Sequence, residues 1–179
     1  MTKSISGRLE NMEQWDIYDQ DQHLTGRTMA RNDWRMKPGD YHLTVLGILQ
    51  NQDGRYLITR RQLDKDWAAG WWEVSGGGVR AGEDSHHAMI REIKEETGLD
   101  VTAATGGFAY TYRRDNPQEQ NNYFVDVYRF KLHFELADVV PQGSEVTNYR
   151  LATSDEIRAL AQQGIFLHYQ SIEKLLKTN

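Results

Sequence analysis

Cysteine is absent from the 179 residues, and proline occurs only at Pro38, Pro117 and Pro141. A chain without cysteine has no disulfide, no thiolate ligand for zinc and no cysteine nucleophile. No apolar run approaches the roughly 18 residues that a membrane span requires. The first residues, MTKSISGRLENMEQW, lack the apolar stretch of a secretory signal. We therefore expect a cytoplasmic protein without a membrane partner.

An excess of basic residues is also missing. Lys and Arg total 21 against 26 Asp and Glu, which gives a net charge of −5. This balance argues against a nucleic-acid partner. Hydrophobic residues make up 39% and charged residues 26% of the chain, as in a globular protein. No repeat or linker divides the sequence, so we expect one core with an appended segment.

Local patterns predict strands first, then a helix, then strands and helices. A hairpin is expected within residues 13–31, around a polar Asp-Gln-Asp-Gln turn. The predicted strands are 41–49, 55–61, 72–75, 108–113, 123–134 and 147–152, and the predicted helices are 85–97, one that starts at Ser154, and 169–176. This order is typical of a mixed α/β or α+β sandwich.

The helix predicted at 85–97 carries an unusual acidic face. Glu92, Glu95 and Glu96 fall within an arc of roughly 100°, at about 100° per residue. Met89 and Ile93 form an apolar stripe on a different side. The simplest interpretation is a solvated acidic face, but a cluster of carboxylates on a rigid helix is also what a hard divalent cation requires. The glycine run just upstream fits either a turn or bulge, or close backbone approach to a ligand.

The spacing around this helix matches a known motif. Gly77 is followed after five residues by Glu83, and after seven more by Arg91-Glu92-Ile93-Lys94-Glu95-Glu96-Thr97-Gly98-Leu99. This pattern agrees with the Nudix box at every defined position. The chain therefore resembles the Nudix hydrolase superfamily over about residues 40–178.

The resemblance implies a fold and a division of the chain. The fold class is α/β (α+β), a Nudix α/β/α sandwich with a mixed β-sheet and an N-terminal β-hairpin extension. We expect residues 1–39 to form that extension and residues 40–179 to form the hydrolase domain.

The resemblance also implies an activity. It is metal-dependent hydrolysis of a diphosphate bond, in a nucleoside diphosphate linked to another moiety or in a related small organic diphosphate. Mg²⁺ or Mn²⁺ would be held by Glu92, Glu95 and Glu96 with the backbone carbonyl of Gly77. The cation would neutralise phosphate oxygens and activate a water, and a carboxylate would take its proton. Arg91 would position the glutamates, and Glu83 would support the loop.

Residues outside the box are candidates for further roles. Many family members add an acidic residue from a later loop, for which Glu145 is the first candidate and Glu119 the second. Arg60 or Arg61, which end a strand, would contact a phosphate. Aromatic side chains, Trp72 and Tyr112 among them, would stack on the substrate or simply belong to the core. His86 and His87 are expected to be exposed on the helix.

The segment WDIYDQDQHLTGRT resembles the leading hairpin of isopentenyl-diphosphate isomerases, which belong to the same superfamily. Those enzymes place a catalytic cysteine before the first box glycine, followed by Gly-His. Here the stretch is Gly76-Gly77-Gly78. Isomerase activity and a non-catalytic Nudix sensor module are the alternatives, and a homodimer is an expectation drawn from relatives. Substrate identity stays open.

Overall fold

The computed structural model describes residues 12–31, 33, 35–142 and 146–177. The strands are β1 (Gln14–Tyr18), β2 (Leu24–Ala30), β3 (His42–Gln50), β4 (Tyr56–Arg61), β5 (Trp72–Glu73), β6 (Ser75–Gly78), β7 (Thr105–Arg114), β8 (Tyr123–Lys131) and β9 (Val146–Ala152). The helices are α1 (Ser85–Thr97), α2 (Ser154–Gln162) and α3 (Tyr169–Ile172), with 3₁₀ turns at Leu136–Asp138 and Glu173–Leu175.

Seven strands form one mixed sheet. Its order is β5-β4-β3-β8-β7, with β6 also paired to β3 and β9 to β4. Strands β3 and β8 run parallel, whereas the other pairs of this sheet are antiparallel. Strands β1 and β2 form a separate antiparallel hairpin. The predicted mixed sheet and N-terminal hairpin are therefore confirmed.

Strand β3 is the centre of the molecule because both of its faces are apolar. Val45 and Leu49 pack into one core cluster together with Met89 and other residues of α1. Leu46 and Ile48 point to the opposite face, where a second cluster includes side chains of α2 and of the C-terminal segment. Helices thus cover both faces of the sheet, as the α/β/α prediction requires.

Helix α1 has the ends that its sequence predicts. The Asp84 side chain accepts a hydrogen bond from the His87 amide at the N-terminus. Gly98 ends the helix in the left-handed region, with φ 74°. Met89 and Ile93 are buried against the sheet, as predicted, and Glu92 is buried beside them. The acidic face is therefore not wholly solvated.

The bounds of several elements differ from the predicted ones. Of the two alternatives for the glycines at 76–78, the structure does not have the turn or bulge, because these residues lie within strand β6 and pair with residues 44–46 of β3. The predicted strands 108–113 and 123–134 are 105–114 and 123–131. The predicted helix at 169–176 is a four-residue α3 followed by a 3₁₀ turn, since the backbone at Ile172 (φ −120°, ψ −5°) leaves the helical region.

Candidate active site

Strand β6 brings the box glycines directly against helix α1. Gly77 pairs with Val45 of β3 and faces the Glu92 carboxyl group. A Cβ atom at Gly77 would lie 2.4 Å from Oε1 and Cδ of Glu92, closer than real contacts allow. The glycine is therefore needed for close approach. It is not needed for a left-handed backbone, because its φ is not positive.

Arg91 joins the loop to the glutamates of α1. Its Nε and Nη2 donate to the two carboxylate oxygens of Glu83, at 2.8 and 2.9 Å, in the paired geometry that suits a guanidinium. Its Nη1 donates to Glu92 at 2.7 Å and to Glu95 at 3.5 Å. Nη2 also donates to the carbonyl of Gly78 at 3.1 Å. One guanidinium thus holds β6, the loop and the helix face in a fixed arrangement.

Glu96 and Glu92 are carboxylates in an unfavourable environment. Burial raises the pKa of Glu96 well above its usual value, and the nearby charges of Glu73 and Glu92 raise it further. The amide of Gly76 donates to Glu96 Oε2 at 3.1 Å and partly opposes that rise. Burial also raises the pKa of Glu92, although Arg91 acts against it. More negative charge lies here than the hydrogen bonds compensate.

Glu95 differs from its two neighbours because its side chain is 46% exposed. It lies between two guanidiniums, 3.5 Å from Arg91 and 3.7 Å from Nη2 of Arg80. Arg91 therefore orients both Glu92 and Glu95, whereas the amide of Gly76 orients Glu96. They share one face of the helix, as the sequence predicts, but their oxygens do not all converge to within 4.8 Å of one another.

A different group in the described part of the chain meets that spacing. Asp19, Asp21 and His23 lie in the turn between β1 and β2, with possible ligand atoms within 4.8 Å of one another. Asp21 and His23 are exposed, and the backbone amides of both donate to Asp19 Oδ1. These two hydrogen bonds are typical of a turn, so they explain why the three side chains lie close together without a metal ion.

The residues around α1 fit a hard divalent cation better. Glu92, Glu95, Glu96 and the Gly77 carbonyl would supply only oxygen donors, which is the preference of Mg²⁺ and Mn²⁺. The close approach at Gly77 leaves no room for a side chain beside the Glu92 carboxyl group. Burial, and after it the charge of neighbouring carboxylates, raises the pKa values of Glu92 and Glu96, so a bound cation would favour their ionised forms.

Glu73 links Arg61 to this cluster. Arg61 is a predicted site residue, whereas Glu73 is not among those that the sequence predicts. Arg61 Nη1 lies 3.2 and 3.4 Å from the two Glu73 oxygens, and its guanidinium lies 5.5 Å from the ring of Trp67. Glu73 follows two tryptophans in a short strand, a position that is usually structural. Only the pairing of β5 with β4 brings it opposite Thr59 and near the box.

The other predicted substrate-binding residues take no part in the hydrogen bonds among β6, Arg91 and the glutamates of α1 that are described above. Arg60 donates to the carbonyl of Gly70 at 2.8 Å, and its guanidinium lies 6.0 Å from the Trp72 ring. Tyr112 is half-buried in β7 and packs against the core cluster on the α2 side. Burial raises the pKa of its hydroxyl to about 12.

The candidate bases in later loops have different outcomes. Glu145 lies outside the described residues. Glu119 is exposed in the loop between β7 and β8 and accepts a hydrogen bond from Asn116 at 2.8 Å. His86 and His87 are exposed on α1, as predicted. His42 is buried, stacked on Trp15 with ring centroids 4.1 Å apart.

Comparison with known proteins decides the family. The family model described as NUDIX domain matches residues 40–175. The chain belongs to the Nudix family. An uncharacterised Nudix hydrolase of Listeria monocytogenes is 31% identical over 167 residues, which cover 92% of this chain and 94% of that protein. A crystal structure from Deinococcus radiodurans superposes with a TM-score of 0.73 at 19% identity, covering 93% of this chain and all of that one.

Another Nudix relative bears on the isomerase alternative. An isopentenyl-diphosphate Delta-isomerase of Salmonella heidelberg is 35% identical over 78 residues, which cover 42% of this chain and 43% of that protein. The prediction of a Nudix hydrolase fold is confirmed by the family match and by the Deinococcus structure. Among the described residues, no helix combines the length and apolar character that crossing a membrane demands.

Proposed function

We propose that this protein hydrolyses a diphosphate bond with the help of Mg²⁺ or Mn²⁺. The substrate class is a nucleoside diphosphate linked to another moiety, or a related small organic diphosphate. The observation that carries the proposal is the contact of Glu92 with Gly77, held by Arg91, within a box that has every defined residue. A non-catalytic sensor module would not require this uncompensated group of carboxylates.

The residues divide the chemistry as follows. Glu92, Glu95, Glu96 and the Gly77 carbonyl would hold the cation, and Arg91 keeps Glu92 in place. A bound divalent cation would supply charge neutralisation at the phosphate oxygens and lower the pKa of a bound water. The Glu95 side chain is 46% exposed against 12% for Glu92, so one of its oxygens is suited to accept a proton from the attacking water while the other would contact the cation. Glu145 stays a candidate for the same task.

A panel of diphosphate compounds tests this proposal. Each compound is incubated with Mg²⁺, with Mn²⁺ or with a chelator, and product masses identify the bond that is cleaved. Glu95→Gln and Glu96→Gln should each lower turnover by about two orders of magnitude or more while the circular dichroism spectrum is unchanged. The matched control is Glu173→Gln, an exposed glutamate in the C-terminal 3₁₀ turn. Wild-type turnover in both box variants would disprove the proposal.

The isomerase alternative is favoured by one observation, the similarity to isopentenyl-diphosphate Delta-isomerase over 78 residues. The residues argue against it, because the Cys-Gly-His stretch of those enzymes is replaced by glycines at 76–78. We expect no deuterium uptake into isopentenyl diphosphate in heavy water. Uptake that requires Glu92 would establish the isomerase instead. The predicted homodimer is checked in the same preparation by light scattering.

A further inference from the structure

The N-terminal hairpin fixes the loop that precedes α1. The amide of Ala81 donates to the carbonyl of Gln14 at 2.7 Å. The amide of the next residue, Gly82, donates to the Asp16 carboxylate, also at 2.7 Å. Strand β1 is therefore hydrogen-bonded to the box loop at two successive residues. Side chains of the hairpin consequently have a defined position relative to the glutamates of α1.

A row of charged side chains runs from the hairpin to those glutamates. Glu13 accepts from Arg31 Nη1 at 3.5 Å and from Arg80 Nε at 3.3 Å. Arg80 in turn lies 3.7 Å from Glu95, between Nη2 and Oε1. Arg31 is thereby joined to the glutamates of α1 through Glu13 and Arg80.

These ion pairs are looser than those of Arg91. The Arg91 side chain is 16% exposed and its shortest bonds are 2.7–2.9 Å long. Arg31 and Arg80 are 41% and 45% exposed, with distances of 3.3–3.7 Å to their partners. Half-exposed pairs of this kind contribute little to stability. Arg31 and Arg80 can therefore exchange partners at small cost, whereas Arg91 cannot.

The charge balance at this edge favours an anion. Two guanidiniums share the single carboxylate of Glu13. Within the described part of the chain, the other ion pair of the Arg80 side chain is with Glu95, which the proposed cation would occupy. Arg31 and Arg80 would then have only the carboxylate of Glu13 between them, next to the proposed cation and therefore next to the phosphate groups of the substrate. Arginine suits such a role because its planar donors match phosphate oxygens.

We propose that Arg31 and Arg80 form an anion site that binds a phosphate group of the substrate, at the edge where the N-terminal hairpin meets the box loop. Glu13 is the internal counterion of this site, and the phosphate displaces it. The proposal rests on the proposed hydrolysis and adds a determinant of substrate binding. It gives the N-terminal hairpin a binding task as well as a structural one.

Calorimetric titration with Mg²⁺ and imidodiphosphate, whose P–N–P bridge resists hydrolysis, tests this site directly. We expect Arg31→Ala and Arg80→Ala each to weaken binding by about tenfold, the value of one charge-assisted hydrogen bond. Lysine at either position should restore part of the loss. KM for the substrate should rise by a similar factor, with kcat changed less. Arg35→Ala is the control, since Arg35 is a more exposed arginine of the same region that pairs with Asp33.

Glu13→Gln separates binding from a merely structural role. If the row of charges only docks the hairpin, this variant should weaken imidodiphosphate binding as much as the arginine variants do. If it forms an anion site, removal of the counterion should leave binding equal or tighter. Weakening by Glu13→Gln, or unchanged binding in both arginine variants, would overturn the inference. If the inference fails in this way but Glu95→Gln and Glu96→Gln are inactive, the proposed hydrolysis still stands. If those two variants keep wild-type turnover but both arginine variants weaken imidodiphosphate binding, the anion site still stands.

Discussion

The Glu92 carboxyl group lies where a side chain on Gly77 would have to be, since a Cβ atom built there falls 2.4 Å from Glu92 Oε1. Gly77→Ala should therefore displace Glu92 and lower turnover by about two orders of magnitude, because the carboxylate can no longer approach β6. Gly47→Ala is the matched control. Its Cβ would meet the flexible end of Met89, so it should change stability without changing Mg²⁺ affinity. Equal turnover in Gly77→Ala and wild type would contradict this prediction.

The pair of Arg91 and Glu83 is expected to be strongly coupled. Both side chains are mostly buried, at 16% and 17% exposure, and share two hydrogen bonds. A double-mutant cycle with Arg91→Lys and Glu83→Gln should give a coupling energy of about 1.5–3 kcal/mol in urea unfolding. Each single variant should also lower turnover, since the helix face loses its anchor. A coupling energy near zero would show that the pair does not hold the loop.

Glu96 should trade stability for function. Burial and the charges of Glu73 and Glu92 raise its pKa, so its ionised form is costly in the metal-free protein. Glu96→Gln should increase the free energy of unfolding in the presence of a chelator by about 1–2 kcal/mol. Addition of Mg²⁺ should stabilise the wild type more than the variant, because ligands stabilise the form that binds them. Thermal unfolding with and without Mg²⁺ measures both effects, and a variant less stable than wild type in chelator would refute the prediction.

The buried His42 and the half-buried His168 should make the protein sensitive to mild acid. Burial lowers the pKa of His42 to about 4, and that of His168 also to about 4. The unfolded chain then binds protons before the native state does, since an unperturbed histidine titrates near 6.5. The stability that neutral histidine provides is present above about pH 6.5 and is lost as the pH falls towards 4. Each residue should contribute about 2 kcal/mol of loss between about pH 7 and 5.

Variants can assign this acid sensitivity. His42→Phe keeps an aromatic ring against Trp15 but cannot take up a proton, so its unfolding free energy should depend less steeply on pH. His86→Gln is the control, because His86 is exposed on α1. Urea unfolding at several pH values gives the slopes. A slope for His42→Phe equal to that of wild type would contradict the assignment.

Local signals in the sequence predict the parts of the fold that depend on near neighbours. Asp84 and Gly98 mark the two ends of α1, and the box spacing identifies the helix face that carries the glutamates. These features follow from capping and from the helical repeat, which act within a few residues. The box at residues 77–99 also identifies the family, and the family implies the α/β/α sandwich.

The remaining features depend on contacts between distant segments. Gly76 to Gly78 form a strand because β3 is available to pair with them, and nothing in three consecutive glycines predicts that partner. Glu73 lies near Glu96 only through the pairing of β5 with β4. The Arg80–Glu95 contact and the Glu13 contacts join segments that no periodic pattern relates. Tertiary packing decides such features, so a single sequence does not predict them.

The family match begins at residue 40, yet the motif is supported from before that boundary. The indole of Trp15 lies so close to Gly78 that a Cβ there would be 2.7 Å from its Nε1. A protein shortened to residues 40–179 would keep every residue of the box but would lose Trp15, which packs against Gly78. The contacts that support the box therefore extend beyond the residues that the family model matches. A recombinant protein limited to those residues would have an altered loop before α1.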